Sequence, residues 1–172
     1  MMETSNPGNE GSAEKQLRPG LWQTVNERYP GSMITNTDHV PLAKLSKPVD
    51  EARFCFVSTS GVQTRDSMPF DTVHPVGDYT FRRVPSNSHV SDLTIHQLKY
   101  PTFGANEDLN VIFPIERLRQ LVDEKLIGGI TQNFYTFIGY NMDPSRLETT
   151  LAEDLADAIA EEQPDGVIAA PA

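Results

Sequence analysis

The sequence predicts an α/β fold built on a mostly parallel sheet, and three features support this prediction. The run Arg53–Ser58 is β-branched and aromatic, which is the pattern of a buried strand. Two later segments, one after Phe113 and one after Asp143, have helical periodicity, and a second apolar strand, Gly166–Ala170, follows them. Strands that alternate with helices form βαβ units with parallel strands. We therefore expect an open, three-layer sheet of the Rossmann or flavodoxin type.

The elements are predicted in chain order from Arg53–Ser58, which ends in the small, hydroxyl-rich turn Thr59–Val62. Prolines and polar residues interrupt Gln63–Gly77, so this stretch is interpreted as a loop. Tyr79–Val84 alternates weakly between apolar and polar residues and precedes the turn-forming segment Pro85–Ser88. We expect a second strand followed by a turn.

The second half of the chain has clearer periodicity. Ser91–His96 fits either a helix start or a short strand, and the pattern does not separate the two. Pro114 stands at a first helical turn, and the apolar residues after it share one face, so a helix is predicted that ends near Lys125–Gly129. Gly129–Gly139 is predicted to be a strand or strand pair, and Asp143–Pro144 to begin a helix with an acidic outer face.

The length of 172 residues corresponds to one ordinary domain. Residues 1–19 are polar and contain glycine and proline, which predicts a disordered tail. Residues 20–50 are apolar without a sustained period and are interpreted as an extended arm. This arm either covers its own domain or wraps around a partner. The α/β domain is expected over residues 51–172.

Composition excludes several classes of function. The sequence has 24 acidic and 14 basic residues, and its net charge of -10 repels nucleic acid and anionic lipid. It contains no apolar stretch of bilayer length and starts without a signal-peptide pattern, so we expect a cytoplasmic protein without membrane contact. The single cysteine, Cys55, excludes a disulfide framework, a CxxC pair within this chain and a Cys-rich zinc site.

Six sequence blocks together resemble a known family. They are FCFVSTSGV (54–62), GDYTFRRVP (77–85), DLNVIFPIERLR (108–119), LIGG (126–129), YTFIG (135–139) and DGVIAA (165–170). In order and approximate spacing they are similar to the N-terminal half of the selenoprotein B group of glycine, sarcosine and betaine reductases, with the related D-proline reductase subunit. The resemblance implies a role in reductive chemistry on a small amino acid or a related nitrogen or sulfur compound.

In that family a strand like Asp165–Ala170 runs directly into a redox motif that pairs selenocysteine or cysteine with a second cysteine. This sequence ends at Ala172 before such a motif, and Cys55 lies on a different strand. The resemblance therefore implies a chain that is inactive alone and a second polypeptide that supplies the C-terminal half with a CxxC-like or UxxC-like motif, in a hetero-oligomer. The alternative for the last strand is packing under the chain's own helices, and the alternative function is a non-catalytic scaffolding or binding subunit. The sequence names no cofactor.

The turn after the first strand is the first candidate for substrate binding. Its hydroxyls and glycine stand at a strand's carboxyl end, where open α/β sheets bind ligands, and suit a carboxylate or an amine. The alternative is an ordinary strand-to-loop turn. The candidates are Ser58, Thr59, Ser60 and Gly61.

Asp78 and Arg82 are the second pair of substrate-binding candidates. A guanidinium suits a carboxylate, and together the two charges could balance a zwitterionic substrate. Arg82 shares a strand face with Asp78 and Thr80, whereas Arg83 faces the opposite side. The alternative is a solvated strand face.

His96 is the candidate catalytic residue. It precedes Tyr100 at a place where family members carry histidine and tyrosine, and histidine suits proton transfer near neutral pH. Asp108 and Asn110 are interpreted as caps of the turn before the Pro114 helix. The spacing of histidines and aspartates matches no established ligand pattern, so no metal site is predicted.

Overall fold

The structure is a computed structural model that describes Glu27, Arg28, Pro30 and residues 43–98 and 100–172. Backbone contacts divide the chain into two units, Met1–Pro41 and Leu42–Ala172, and the second contains the α/β fold. The predicted tail, residues 1–19, and most of the predicted arm, residues 20–50, lie outside the described residues.

The second unit contains both strands and helices. In chain order the elements are β1 (Arg53–Ser58), β2 (Val62–Thr64), β3 (Phe81–Pro85), a 3₁₀ turn (Val90–Asp92), β4 (Leu93–Ile95), α1 (Phe103–Glu107), a 3₁₀ turn (Leu109–Val111), α2 (Ile115–Asp123), β5 (Gly129–Ile130), β6 (Asn133–Phe137), α3 (Pro144–Arg146), a π-helical segment (Leu147–Ala152), α4 (Glu153–Glu161) and β7 (Gly166–Ala170).

The main sheet is mixed and mostly parallel. β1 pairs in parallel with β5 through Arg53 and Phe54 and with β6 through Val57 and Ser58. β7 pairs in parallel with Phe54–Ser58, so it must lie on the opposite side of β1 from β5 and β6. β3 pairs antiparallel with β6 and forms the other edge. The prediction of an α/β fold with a mostly parallel sheet is confirmed.

A helix covers each face of the sheet. Side chains along β1 alternate between the two faces, so neighbouring residues of this strand pack against different helices. Phe56 points to the side of α2, where its ring meets those of Phe113 and Phe134 edge-on at 5.4 and 5.8 Å between centroids. Cys55 and Val57 point to the other side and join a cluster that contains residues of α4. Because both faces are covered, the middle of β1, Phe54–Val57, is apolar at every position.

A small antiparallel pair, β2 with β4, is the largest difference from the predicted elements. Val62 pairs with Ile95 and Thr64 with Leu93, so the predicted loop from Gln63 begins with a strand. The segment Ser91–His96, which fitted a helix start or a short strand, contains the end of a 3₁₀ turn and then β4. Strands of three residues are too short to show a period of two, which is why the sequence did not reveal the pair.

The predicted caps are confirmed. The Asp108 carboxylate accepts a hydrogen bond from the Asn110 amide at 3.0 Å, and the Asn110 side-chain oxygen accepts one from the Glu116 amide at 3.1 Å, at the start of α2. Asp143 accepts hydrogen bonds from the amides of Ser145 and Arg146 before α3. Across the described residues, no helix is long and apolar enough to cross a membrane.

Candidate substrate-binding site

The carboxyl ends of β1, β6 and β7 meet at one edge of the sheet and surround a cavity of about 420 Å³. We call it the carboxyl-edge cavity. Its lining residues are Thr59, Gln97, Tyr100, Gly139, Tyr140, Pro171 and Ala172. A smaller cavity of about 250 Å³ shares Thr59 and Pro171 with it and is otherwise mostly apolar. This edge is the usual position of ligands in open α/β sheets.

The hydroxyls of Ser58 and Ser60 build the turn after β1. Ser58 Oγ donates to the Ile112 carbonyl at 3.3 Å and accepts from the Ser60 amide at 3.1 Å. Ser60 Oγ accepts from the Val62 amide at 3.4 Å. Both side chains are buried, and neither residue lines the carboxyl-edge cavity. Their hydrogen bonds are those expected of a strand-to-loop turn.

Thr59 is the one predicted substrate-binding residue that lines the carboxyl-edge cavity. Its Oγ1 accepts a hydrogen bond from the Ala172 amide at 2.9 Å, which leaves its own proton available to a ligand. A Cβ atom added at Gly139 would lie 3.1 Å from the Thr59 Cβ, so Gly139 leaves the space that the threonine side chain occupies. Thr59 thus presents one hydroxyl in a fixed position.

Gly61 joins the turn to two neighbouring segments. Its amide donates to the Phe137 carbonyl at 3.1 Å, and its carbonyl accepts from the His96 amide at 2.9 Å. Its φ of 65° is a left-handed conformation, and an added Cβ would lie 3.0 Å from the His96 carbonyl oxygen. This close approach brings Gln97 and Tyr100 to the cavity.

Tyr100 lines the carboxyl-edge cavity together with Gln97. Its hydroxyl donates to the Ser60 carbonyl at 2.8 Å, and burial raises the pKa of its phenol. Gln97 is buried beside it, with its side-chain oxygen accepting from the Leu98 amide at 2.9 Å. Both side chains are polar groups at a mainly apolar wall, as is common in small-molecule sites.

His96 is a half-buried residue directly after β4. Its Nδ1 atom is buried and has no hydrogen-bond partner in the described part of the chain. His96 is not itself a lining residue, although the next residue, Gln97, is. Catalysis by His96 therefore stays a prediction.

Asp78 and Arg82 lie together but in a different place. The Asp78 carboxylate accepts from the amides of Asp71 and Thr80 at 2.8 Å each and lies 4.0 Å from the Arg82 guanidinium. Asp78 lines a separate cavity of about 430 Å³ beside Tyr79 and α3. Asp78 and Thr80 lie in a turn before β3 and not on a shared strand face, although Arg82 contacts both and donates to Thr80 Oγ1 at 2.8 Å.

The Arg82 guanidinium holds the loop before it. It donates to the carbonyls of Met68 and Pro69 at 2.7 and 3.2 Å and stacks 4.2 Å from the centre of the Phe70 ring. Burial lowers its pKa, which the Asp78 charge opposes. The structure does not bring this pair together with Thr59, and substrate binding by Asp78 and Arg82 stays a prediction.

The model of the glycine/sarcosine/betaine reductase selenoprotein B family matches residues 24–172. The chain belongs to this family. D-proline reductase subunit gamma from Acetoanaerobium sticklandii is 25% identical over 124 residues, which are 72% of this chain and 50% of that protein. The chain thus spans about half the length of the curated relative it matches, and no solved structure matches it. Every residue lining the carboxyl-edge cavity lies in the family-matched range, and the predicted resemblance is confirmed.

The one cysteine of this family member is shielded. Cys55 has no exposed surface, and its thiol lies 3.8 Å from the Asn133 carbonyl oxygen. Burial raises its pKa, so the reactive thiolate is disfavoured at neutral pH. Among the described residues, no group of three or more His, Cys, Asp or Glu side chains could hold a metal ion.

Sequence reasoning did not identify Gln97, Gly139 or Tyr140 as site residues. Each lies at a loop position that only the pairing of β2 with β4 and the end of β6 bring to the cavity. A signal was available at Gly139, in the block YTFIG, because a glycine after a strand marks a close approach.

Proposed function

We propose that this family member is one subunit of a multi-subunit reductase of the glycine or D-proline reductase type. In this proposal the carboxyl-edge cavity forms part of the pocket for a small amino acid or a related nitrogen or sulfur compound. The observation that carries the proposal is the position of Thr59, Gln97 and Tyr100 around a cavity at the carboxyl ends of parallel strands, within the range that matches the reductase family.

A second polypeptide supplies the reactive sulfur or selenium in this proposal. The shielding of Cys55 supports it, because a buried thiol with a raised pKa is a poor reductant. The matched relative is named as a subunit, which supports a hetero-oligomer. The partner carries a CxxC-like or UxxC-like motif, and the assembly resides in the cytoplasm, where thiols are kept reduced.

The proposed reaction breaks a carbon–heteroatom bond of the substrate. The partner's sulfur or selenium pair gives up two electrons and becomes oxidised, while carbon and heteroatom each gain a hydrogen. Two protons are therefore required, and we assign one of them to His96. The unpartnered Nδ1 of His96 supports this assignment, as does its place in the chain directly before Gln97, which lines the carboxyl-edge cavity.

The proposal also treats the sheet as one half of a Rossmann- or flavodoxin-like three-layer architecture. Coverage of one face by α2 and of the other by α4 supports this. The strand order supports it as well, because β5 and β6 pair with one side of β1 and the later strand β7 pairs with the other side. A non-catalytic scaffolding subunit is the alternative. It is favoured by the hydroxyls of Ser58 and Ser60, which serve the turn itself.

The test compares the chain alone with the complex isolated through a tag on it. Reduction of D-proline, glycine, sarcosine and betaine is measured with a dithiol as the final reductant. We expect activity in the complex and none in the chain alone. Thr59→Val, which removes a hydroxyl but keeps the shape, should raise KM at least tenfold, because a hydrogen bond to the substrate is lost.

His96→Gln should lower kcat at least a hundredfold by removing the proton donor. His89→Gln is its matched control, because His89 is exposed on a turn, and it should leave both constants unchanged. A complex that retains full activity with Thr59→Val and His96→Gln would favour the scaffold. A complex that reduces none of the four substrates would count against the proposed function.

A further inference from the structure

The cavity of about 430 Å³ beside Tyr79 is a second polar site, which we call the α3 cavity. It is lined by residues of the loop before β3 and of the helical segments after β6, and it shares no lining residue with the carboxyl-edge cavity. Its ionisable lining residues include Asp71, His74, Asp78, Arg146 and Asp154. The α3 cavity therefore carries charges of both signs.

The carboxylates on the loop side of the α3 cavity stabilise the loop itself. Asp78 accepts a hydrogen bond from the Asp71 amide at 2.8 Å and lies 4.0 Å from the Arg82 guanidinium. Asp71 in turn accepts from the His74 amide at 2.9 Å. Because these two carboxylates are engaged within the loop, the charges of the helical side remain for a ligand.

The Arg146 guanidinium is held in position without a charged partner. It stacks 4.4 Å from the centre of the Tyr79 ring. The Tyr79 hydroxyl donates to the Val76 carbonyl at 2.8 Å and accepts from the Asp143 amide at 2.8 Å, so the ring is fixed between the loop and the start of α3. In the described part of the chain the guanidinium has no hydrogen bond or ion pair, and its N–H groups can bind a carboxylate.

Asp154 supplies the opposite charge on the same helical side. It is exposed, and its carboxylate has no hydrogen-bond or ion-pair partner among the described residues. Arg146 and Asp154 thus line one cavity without pairing with each other. A guanidinium and a carboxylate that face one cavity and do not pair can each bind one end of a ligand.

The helix between these two charges has an unusual geometry. Leu147–Ala152 is π-helical, and short π-helical segments occur frequently at functional sites. In a regular α-helix of 3.6 residues per turn, Asp154 would lie about 80° past two full turns from Arg146. A π-helix has more residues per turn, which reduces this offset. The π-helical segment therefore helps to bring Arg146, Thr150 and Asp154 to the same cavity.

We infer that the α3 cavity binds a small ω-amino acid, with its carboxylate on Arg146 and its ammonium on Asp154. The fork of a guanidinium fits a carboxylate, and a carboxylate accepts strong hydrogen bonds from an ammonium. Because Arg146 and Asp154 do not pair directly, the two charges of the ligand must be several bonds apart to reach both. The site goes beyond the proposed function, since it requires neither a partner chain nor the carboxyl-edge cavity.

Isothermal titration of the full chain with γ-aminobutyrate tests the inference. We expect one molecule to bind per chain. Butyrate and butylamine each carry one of the two charges, so each should bind at least tenfold more weakly, because one charged hydrogen-bonded contact is missing. Absence of binding by γ-aminobutyrate, or equal binding of all three compounds, would overturn the inference.

Arg146→Gln and Asp154→Asn each remove one charge from the α3 cavity. Each should weaken the binding of γ-aminobutyrate at least tenfold. Both residues are exposed, so the melting temperature should stay within a few degrees of the wild type. Arg117→Gln on α2 and Asp157→Asn on α4 are the matched controls, because both residues are exposed and do not line the cavity. They should bind γ-aminobutyrate normally.

The compounds with a single charge show which end each residue binds. Arg146→Gln should weaken the binding of butyrate further and leave butylamine unchanged, and Asp154→Asn should do the reverse. Binding of γ-aminobutyrate that neither variant changes would refute the α3 cavity as the site. Loss of that binding in Thr59→Val, with both charge variants unaffected, would place the ligand in the carboxyl-edge cavity and would also refute the inference.

Discussion

The hydroxyl of Tyr100 donates a hydrogen bond to the main-chain carbonyl of Ser60 at 2.8 Å, across 40 residues of sequence. This bond ties the segment after β4 to the turn after β1, and Gly61 ties the same turn to β6 through the Phe137 carbonyl. Thr59 comes directly before these two connections, and its own amide donates to the Ala170 carbonyl at 3.4 Å. The position of its hydroxyl is therefore set by the fold before any ligand binds, which reduces the entropy lost on binding.

Tyr100→Phe should loosen this turn without removing the aromatic ring. The Ser60 carbonyl loses a partner, so we expect a loss of about 1 kcal/mol in the free energy of unfolding. Urea denaturation measures this change, and ligand binding to the carboxyl-edge cavity should weaken as well. Tyr140→Phe is a useful comparison at the same cavity. Unchanged stability of Tyr100→Phe would show that the hydrogen bond does not hold the turn.

Gly61→Ala should destabilise the protein by about 1 to 3 kcal/mol, because alanine disfavours the left-handed conformation. The added Cβ would also lie 3.0 Å from the His96 carbonyl oxygen and 3.3 Å from the Gln97 Cβ. Gly104→Ala in α1 is the control, since an added Cβ there meets nothing within 4 Å. Alanine favours helix over glycine, so this control should be neutral or stabilising. Equal melting temperatures for the two variants would contradict the prediction.

The main sheet could be predicted because its strands have strong local patterns. Arg53–Ser58 and Gly166–Ala170 were predicted with the bounds that the structure has. Strand β3 was predicted at Tyr79–Val84 and lies at Phe81–Pro85, because Asp78 and Thr80 form a hydrogen-bonded turn before it. The antiparallel direction of β3 has no local signal and depends on long-range pairing with β6.

The site was predicted less completely, because a cavity wall is a property of several segments together. Among the predicted residues, Ser58, Thr59 and Ser60 all carry a hydroxyl. The hydroxyls of Ser58 and Ser60 form hydrogen bonds within the turn, whereas Thr59 lines the cavity, and the sequence does not show this difference. The contacts of Arg82 could not be predicted from the sequence either. Its charge suggested a carboxylate ligand, whereas its contacts include the carbonyls of Met68 and Pro69.

The thiol of Cys55 should react slowly with thiol reagents in the folded protein. It has no exposed surface, and burial raises its pKa, so both access and thiolate fraction are low. Ellman's reagent should detect no thiol under native conditions and one thiol per chain in guanidinium chloride, because the sequence has one cysteine. Rapid native modification would contradict the burial and would make Cys55 a candidate reductant.

The carboxylate of Asp165 should make stability depend on pH in the acid range. The amide of Arg53 donates to it at 2.9 Å and the Lys47 ammonium lies at a similar distance, at the start of β7. The Arg53 amide, and after it Lys47, lower the pKa of this carboxyl below its ordinary value. A depressed pKa means that the folded state holds the proton less tightly than the unfolded chain. The stabilisation is therefore complete above the unfolded pKa of about 4 and is lost as the pH falls through the lower, folded value.

Asp165→Asn tests this dependence, because the amide oxygen can still accept from Arg53 while the charge opposite Lys47 is gone. At pH 7 the variant should melt at a lower temperature than the wild type. The gap should narrow as the pH falls below about 4, where the wild-type carboxyl also becomes neutral. The difference in melting temperature between the wild type and the variant is measured from pH 2 to 7. Asp123→Asn, at the exposed end of α2, is the control. A constant gap across this range would show that the charge of Asp165 does not contribute to stability.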